Sequence, residues 1–238
     1  MDWKTVADSL FPNGHAITEQ DQFLSGSADV GGQTIAVVGT SEHAPIGVEI
    51  ALAQAKFVLR TMREHPGRPI LILVDTVGQR LRHRDEMLGI NSYMAHLGKC
   101  VELARRSGHR VLGLVYDQAL SGGFITSGLL ADACYALPES TIRVMALPAM
   151  ARITKVPLER LTELAASNPV FAPGPENYLR MGGVREIWSG NLAAQLEEAL
   201  RLEHAGDERA ALGLSRGGRK LAQPVVMAIV SGSDVLAP

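Results

Sequence analysis

Polar and apolar positions along the middle of the chain follow two alternating periods, one typical of strands and one typical of helices. A continuous apolar run from Ile70 to Val74 predicts a strand covered on both faces, and a largely apolar run from Arg110 to Tyr116 predicts another strand. Apolar residues three and four positions apart predict helices over Val48 to His65 and over Leu88 to Ser107. This alternation predicts one α/β domain whose strands are joined by right-handed crossovers.

The flanking regions carry shorter signals of the same two kinds. Strands are predicted over Val30 to Val38, Ala133 to Leu137, Thr141 to Met145 and Val184 to Trp188. Helices are predicted in parts of Pro148 to Ala166, with a new start at Pro157, over Glu176 to Met181 and over Leu192 to His204. Turns and loops are predicted over Phe11 to Phe23, Gly39 to Gly47, Asn168 to Pro175 and Gly213 to Lys220, and a last apolar run spans Val225 to Val230.

Two glycine-containing bends follow the carboxyl ends of predicted strands. Asp75 to Gln79 follows the run at Ile70 to Val74, and Ser121-Gly122-Gly123 separates a strand from a helix-like segment over Gly122 to Ala133. Adjacent glycines let the backbone approach a ligand closely, and N–H groups at the start of a helix stabilise an anion. Ligands of open α/β sheets bind at this edge, so the bends indicate chemistry that develops negative charge on a carbonyl oxygen.

Composition narrows the class of protein. The 238 residues carry 23 Lys and Arg against 25 Asp and Glu, a balance that weighs against nucleic-acid and anionic-membrane partners. The chain opens with no signal peptide and has no uncharged apolar run of about 18 residues, so a cytoplasmic protein is expected. Cys100 and Cys134 lack metal-ligand spacing, which predicts buried free thiols. Neither dinucleotide-binding nor P-loop glycine motifs follow any strand.

The two bends and the elements between them form a recognisable pattern. An apolar strand ends in Asp75-Thr76-Val77-Gly78, and a long helix and a second strand lead to Ser121-Gly122-Gly123. This pattern resembles the carboxyltransferase branch of the crotonase (enoyl-CoA hydratase) superfamily, in which Asp-Thr-Pro-Gly precedes a Ser-Gly-Gly-Ala turn. The residues that follow, Leu130 to Pro138, are similar to the segment that leads into the next strand in that branch. The resemblance covers Thr34 to Trp188.

Within this branch the chain is most similar to the gamma subunit of biotin-independent malonate decarboxylase. The sequences Asp-Thr-Val-Gly-Gln and Ala-Leu-Ser-Gly-Gly-Phe at the two bends, the Phe11-Pro12 opening and the overall length support this resemblance. The resemblance implies a crotonase-like (ClpP/crotonase) fold of stacked ββα units. One domain is expected over residues 1–238, with an N-terminal extension at 1–30 and a C-terminal extension at 205–238.

The resemblance also implies partners and a reaction. The expected heterodimer with a homologous beta subunit decarboxylates a malonyl thioester on an acyl carrier protein, whose prosthetic group is a phosphoribosyl-dephospho-CoA. An acyl transferase subunit is a further expected partner. Loss of CO2 leaves an acetyl thioester enolate that is then protonated, and no biotin, metal or nucleotide bound to this chain is expected to take part.

Decarboxylation requires donors for the enolate oxygen and for the departing carboxylate, and it requires no nucleophile. Carried over residue by residue, the resemblance implies an amide pair formed by Gln79, which follows Gly78, and by Gly122-Gly123. This pair is expected to receive the malonyl carboxylate or the leaving CO2. The alternative is that Gly122-Gly123 only permits close helix packing.

The chain departs from the family pattern at the first bend. Val77 replaces the usual proline and Gln79 the usual small residue. The Gln79 side chain either binds a carboxylate or faces solvent. Ser121 either binds a substrate oxygen or caps the helix, and the cap is the favoured interpretation.

Charged and titratable residues near the bends supply further candidates. Arg80, Arg82, His83 and Arg84 form a candidate site for the phosphates or the acidic surface of the carrier, and the alternative is a solvated charged loop. His83, His43 and Tyr116 are candidate proton donors, and Tyr116 is also a candidate substrate-binding residue. The spacing of residues 83–86 does not converge three metal ligands, so no metal is expected.

Three other functions fit parts of the pattern. The turn at Ser121 also resembles the nucleophile turn of signal peptide peptidase A, a serine protease that needs a lysine base. Lys155, the only nearby downstream lysine, follows Ser121 too closely for that family. An enoyl-CoA hydratase would need a glutamate within Gly122 to Ala133, and this segment has none. A scaffold subunit without chemistry is the non-enzymatic alternative.

Overall fold

The computed structural model describes residues 1–166, 174–202, 206–218 and 220–232, and its centre is an eight-stranded sheet. The strands are β1 (Thr18–Gln20), β2 (Phe23–Val30), β3 (Gln33–Thr40), β4 (Pro45–Ile46), β5 (Ile70–Thr76), β6 (Gly78–Gln79), β7 (Val111–Leu120), β8 (Ala133–Ala136), β9 (Thr141–Arg143) and β10 (Glu186–Ile187). The helices are α1 (Trp3–Leu10), α2 (Val48–Glu64), α3 (His83–Met87), α4 (Ile90–Arg106), α5 (Ser121–Ile125), α6 (Leu147–Thr154), α7 (Leu158–Ala165), α8 (Pro175–Arg180), α9 (Leu192–Arg201), α10 (Arg209–Ser215) and α11 (Ala222–Ser231), with a 3₁₀ turn at Gly128–Leu130.

The sheet has the order β1-β2-β3-β5-β7-β8-β10, and β9 pairs with the end of β7. Pairing is antiparallel from β1 to β3 and parallel from β3 onward. The short strands β4 and β6 form a separate parallel pair. The α/β class expected from the sequence is therefore confirmed.

The core consists of two apolar layers, one on each face of the sheet. Every residue of β5 is buried. Leu71 and Leu73 belong to the layer under α1 and α9, whereas Ile72 and Val74 belong to the layer under α2 and α4. Both layers are needed because a continuous apolar strand has no face to expose to water.

The longer predicted elements are confirmed by the structure. The helices expected over Val48 to His65 and Leu88 to Ser107 are α2 and α4, and the strand expected over Ile70 to Val74 is β5. Pro157 is the N-cap of α7, as its position predicts. The apolar residues of these segments follow a strong helical or strand pattern, and packing in the folded chain keeps the element that this pattern predicts.

The predicted strand over Val30 to Val38 is wrong in its boundaries. Gly31 and Gly32, with φ of +57° and +82°, form the turn of a hairpin between β2 and β3. The sequence of β2 contains glycine, serine and aspartate, which weaken its strand signal. Gly26 is required there because a Cβ atom would collide with the backbone of Ala16.

The helix-like segment predicted over Gly122 to Ala133 is also shorter than expected. It is divided into α5 and the 3₁₀ turn. The chain leaves the helical path because Gly128 packs directly on β7, where a Cβ on Gly113 would lie 2.5 Å from the Gly128 carbonyl oxygen. The segment therefore follows the strand closely.

The C-terminal region differs most from its prediction. The loop predicted over Gly213 to Lys220 begins inside α10, and the Arg216 guanidinium donates to the carbonyls of Leu179, Val184 and Arg185. The apolar run at Val225 to Val230 forms α11, which exposes much of its apolar surface. Most of the predicted loop from Asn168 to Pro175 lies outside the described residues.

Both cysteines are buried and free, as predicted. Burial raises the pKa of the Cys100 thiol, and it raises the pKa of Cys134 to about 12. Neither thiol is therefore a reactive thiolate at neutral pH.

Candidate active site

The first bend is held by the small β4–β6 ladder. Pro45 pairs with Gly78 and Ile46 with Gln79, and the Arg80 N–H donates to the Ile46 carbonyl. The fully buried Thr76 hydroxyl donates to the Ala44 carbonyl at 2.6 Å and accepts the Gly78 N–H at 2.9 Å. Gly78 has a φ of +100°, which favours glycine at this point. The bend is thus fixed by hydrogen bonds on both sides.

The second bend lies at the end of β7. This strand runs four residues beyond the predicted Tyr116 because Gln118 to Leu120 pairs with β9. The chain then turns at Ser121, which has a φ of +54°, and enters α5. A left-handed serine costs about 1–2 kcal/mol, so the turn is a strained one.

The structure brings the two bends into direct contact. A Cβ atom placed on Gly78 would lie 2.8 Å from Ser121 Cβ and 3.1 Å from the Leu120 carbonyl oxygen. A Cβ atom on Gly123 would lie 3.1 Å from the Gly78 backbone. The glycines are therefore required for this contact, and close packing accounts for Gly78 and Gly123.

Gln79 turns inward between the bends instead of facing solvent. Its Oε1 atom accepts the Ser121 hydroxyl at 3.0 Å and the Gly122 N–H at 3.3 Å. The favoured interpretation of Ser121 as a helix cap is wrong, because the N-cap is Leu120 and the serine hydroxyl is used by Gln79. Within the described residues, no histidine or lysine hydrogen-bonds Ser121, so the protease alternative lacks a base.

The contact region remains open on one side. Gln79, Ser121 and Gly122 are each only partly buried. Three apolar side chains beside them are exposed, and we call them the apolar rim: Val77, Leu81 and Ile125. Large apolar side chains exposed near one another are typical of a protein–protein interaction site.

Ion pairs engage part of the charged cluster that was predicted as an anion site. Arg82 donates to the fully buried Asp85 at 2.5 Å and lies 3.6 Å from Glu49, which also pairs with Arg84. Arg82 holds the pKa of Asp85 below its usual value. Arg80 and His83 make no ion pair within the described residues. Two of the four predicted anion ligands are thus used to fix the loop to α2.

Tyr116 is not brought to the bends. Its side chain belongs to the core layer under α1 and α9, whereas Phe124 of α5 belongs to the other layer. The Tyr116 hydroxyl donates to the Thr40 carbonyl at 2.8 Å. Burial raises its pKa. The expected role of Tyr116 as a substrate ligand or proton donor is therefore not supported by its position.

One grouping was missed by the sequence analysis. One ring nitrogen of His43 and one carboxylate oxygen each of Asp75 and Asp117 lie within 4.8 Å of one another, close enough to bind one metal ion together. These residues are far apart in the chain, and only the parallel pairing of β3, β5 and β7 brings their carboxyl ends together. The position of Asp75 directly after a buried strand was the available signal.

Comparison with known proteins gives one family. A family model described as malonate decarboxylase gamma subunit (MdcE) matches residues 41–233. A malonyl-S-ACP:biotin-protein carboxyltransferase, MADD of Malonomonas rubra, is 33% identical over 229 residues, which cover 82% of this chain and 78% of that protein.

Solved structures agree in fold. A Pseudomonas malonate decarboxylase hetero-tetramer in complex with coenzyme A has a TM-score of 0.81 at 24% identity, covering 95% of this chain and 97% of the other. A Pseudomonas MdcD-MdcE hetero-dimer has a TM-score of 0.77 at 25% identity with the same coverage. Transcarboxylase 12S has a TM-score of 0.68 at 17% identity over 85% of this chain and 41% of that one. The expected crotonase-like fold is thereby confirmed. In the part of the chain that the structure describes, no helix is both long and apolar enough to cross a membrane.

Proposed function

The chain belongs to the malonate decarboxylase gamma subunit family, and from that premise we propose that it acts with a homologous beta subunit on a malonyl thioester. The substrate is carried on an acyl carrier protein through a phosphoribosyl-dephospho-CoA arm, and the products are the acetyl thioester and CO2. An acyl transferase subunit loads the carrier. The chain itself supplies backbone and side-chain donors and holds no cofactor of its own.

The observation that carries this proposal is the position of Gln79 Oε1. It accepts from the Ser121 hydroxyl and the Gly122 N–H. A backbone N–H only donates, so the atom facing Gly122 must be an acceptor. A carboxylate oxygen of the malonyl group has the same chemistry and would replace Gln79 Oε1 at these donors. The two bends therefore form an oxyanion-type pocket for the carboxylate or the leaving CO2.

The apolar rim supports the proposed assembly. Leu81 is 83% exposed, and it follows the first bend by two residues. A beta subunit seated on this rim would exclude water from the bends, and donors act most strongly in a dry site. The solved MdcD-MdcE hetero-dimer gives a precedent for a two-subunit assembly in the family.

Gly122→Val tests the pocket. The Cβ of the variant would lie 3.2 Å from Gln79 Oε1, so the branched side chain of valine would crowd the acceptor position and obstruct access to the Gly122 N–H. Loss of one preorganised donor costs about 10²–10³-fold in rate, and an obstructed donor is expected to have a similar effect. We expect that fall in malonyl-thioester decarboxylation by the heterodimer, with a smaller fall for Gly122→Ala.

The control is unfolding temperature and heterodimer formation, which Gly122→Val should leave unchanged. Position 123 is unsuitable for this test, because a side chain there would move the Gly78 backbone. Unaltered turnover in Gly122→Val would show that the pocket takes no part in decarboxylation.

A second function is favoured by one relative. The Malonomonas rubra protein carries the name of a carboxyltransferase to a biotin protein. In that reaction the carboxyl group released from malonyl thioester is captured by biotin. Labelled malonyl thioester distinguishes the two functions: we expect label in free CO2, and label retained on a biotinylated acceptor protein would identify carboxyl transfer.

A further inference from the structure

A groove lies between the helix α2 and the strand β2. Its wider part is a cavity of about 560 Å³, and a second cavity of about 250 Å³ shares Phe57 and Arg60 with it and extends to Arg68. Because the two cavities share residues, they form one continuous groove. We call it the α2 groove, and its lining includes Phe23 and Ser25 of β2 and Lys56, Phe57, Arg60 and Arg63 of α2.

The α2 groove is strongly cationic. Residues 56–68 carry four Lys and Arg against one Glu, a net charge of +3 in a chain whose net charge is −2. In the described part of the chain, Glu64 is the one carboxylate residue among those that line the groove. A concave surface of one sign concentrates its field and attracts a ligand of the opposite sign. The groove therefore favours an anionic partner.

The cations of the groove are available to such a partner. Lys56 and Arg60 are exposed and make no ion pair within the described residues, and Arg63 pairs with the neighbouring Glu64 at 2.6 Å. The Arg60 guanidinium lies 5.4 Å from the centre of the Phe57 ring, and this cation–π contact holds it over the aromatic floor of the groove. A side chain that is already oriented loses less freedom when it binds.

Glu64 shows how this field acts on a carboxylate. Its pKa is lowered by the hydrogen bond from Arg63 and by the charges of Arg63 and Arg60. A carboxylate that another molecule brings to the groove would meet the same charges. In the charged cluster after the first bend, by contrast, Arg82 and Arg84 already pair with carboxylates of this chain.

The groove lies at a distance from the first bend. The helix α2 begins at Val48, two residues after Ile46, which pairs with Gln79. With a rise of about 1.5 Å per residue, Lys56 and Arg63 lie about 12 Å and about 22 Å along the helix from its start. A molecule bound in the groove therefore presents its reacting end elsewhere, on an extension that reaches the bends.

We propose that the α2 groove binds an acidic segment of the acyl carrier protein, an inference that rests on the proposed function. Carboxylates of this segment pair with Lys56 and Arg60, and an apolar side chain of the segment packs on Phe23 and Phe57. The carrier presents its acyl group at the end of a prosthetic arm, so its protein body needs a binding surface away from the bends. Opposite charges on the two surfaces speed their encounter and fix their orientation.

The phosphates of the prosthetic arm fit the groove less well. Lys56 and Arg63 are about 10 Å apart along the helix, so the cations are spread along a line and do not converge on one phosphate. The groove also follows the middle and the end of α2, whereas the N–H groups that bind phosphate are at the start of a helix. A row of cations on an apolar floor suits a protein segment with several carboxylates.

The double variant Lys56→Glu/Arg60→Glu in the heterodimer tests this surface. Loss of one exposed ion pair changes affinity up to about 5-fold, and the reversed charges add repulsion. We therefore expect KM for malonyl-loaded carrier protein to rise about 10-fold or more at unchanged kcat and unchanged unfolding temperature. The wild-type KM should rise with salt concentration, and the KM of the variant should rise much less, because salt screens an attraction that the variant lacks.

The single variants Lys56→Glu and Lys99→Glu form a matched pair. Each reverses one exposed lysine in the middle of a 17-residue helix, Lys56 in α2 and Lys99 in α4. Both change the net charge of the chain equally, so a difference between them depends on position. We expect KM to rise in Lys56→Glu alone, and equal KM values for the two variants would show that the groove does not bind the carrier.

A carrier protein without its prosthetic arm separates the two sources of negative charge. It should bind the wild-type heterodimer and lose affinity for the double variant by the same factor as the complete carrier. A loss confined to the arm-bearing carrier would assign the groove to the arm phosphates and overturn the proposal. Unchanged KM in the double variant would also overturn it while leaving the proposed function intact, whereas a wild-type heterodimer that releases no CO2 from malonyl-loaded carrier would refute both.

Discussion

Gly78 combines two demands that few residues meet at once. Its φ of +100° favours glycine, and its Cα approaches the second bend so closely that a Cβ would lie 2.8 Å from Ser121 Cβ. The first demand is a backbone preference, whereas the second is a packing contact. A well-chosen pair of variants separates them.

Gly78→Ala is expected to lower the free energy of unfolding by about 2–4 kcal/mol, from backbone strain of about 1 kcal/mol and overpacking of about 1–3 kcal/mol. Gly67→Ala is the matched control, because Gly67 has a φ of +77° and open space where the Cβ would lie. It should lose only about 1 kcal/mol. Denaturant unfolding measures both, and equal losses would show that the bends do not press on each other.

The site residues divide by how visible their roles are in the sequence. The bends at Gly78 and Gly122-Gly123 could be predicted, since glycines after strands have a local signature. The inward turn of Gln79 and the contact of Asp85 with the Val48 N–H could not, because each depends on a neighbour supplied by the fold. His43 and Asp75 are 32 residues apart, and only the pairing of β3 with β5 joins them.

At the level of elements, the strength of the hydrophobic pattern determined which helices and strands could be predicted from the sequence. The helices α2 and α4 have 17 residues each and strong periodicity, and both were predicted. The helix α1 was missed, although its signal is present: Asp2 caps the N–H groups of Lys4 and Thr5, and buried residues recur at helical spacing. In contrast, β9 has three residues, and its pairing with the end of β7 extended that strand beyond its apolar run.

The loop that carries α3 is anchored to α2 through Asp85. Its Oδ1 accepts the Val48 N–H at 3.0 Å, at the start of α2, and its Oδ2 accepts from Arg82. The Gly47 N-cap offers no side chain for this purpose. Asp85 thus caps a helix from 37 residues away.

Asp85→Asn should destabilise the fold by about 2 kcal/mol, because a charged hydrogen bond in a buried position is lost. The pKa of Asp85 is lowered in the folded state, so its stabilising effect is present above the unfolded-state pKa and is lost as pH falls through the folded-state value. The stability difference between wild type and variant should therefore shrink in acid. Glu139→Gln, an exposed control, should show neither effect.

At the scale of the whole molecule, the surface is more typical of a subunit in a complex than of a free monomer. The apolar rim beside the bends and the exposed face of α11 leave large apolar side chains in water. Exposed apolar patches of this kind indicate protein–protein contact. The rim lies next to the candidate active site, so assembly and activity are expected to depend on the same surface.

Leu81→Asp tests this dependence. Burying a charge at the centre of an interface costs at least about 2 kcal/mol, so we expect the dissociation constant for the beta subunit to rise about 30-fold or more. Leu103→Asp, on the outer surface of α4, is the matched control and should bind normally. Titration of one labelled subunit with the other gives both constants, and equal affinities would place the interface elsewhere.

The burial of Cys100 and Cys134 makes such a titration simple to arrange. Because neither sulfur is reactive at neutral pH, a cysteine substituted at the exposed position 103, away from the apolar rim, would react selectively with a maleimide dye. Fluorescence from that single attachment point would then follow the arrival of the beta subunit without removing any native residue from the core.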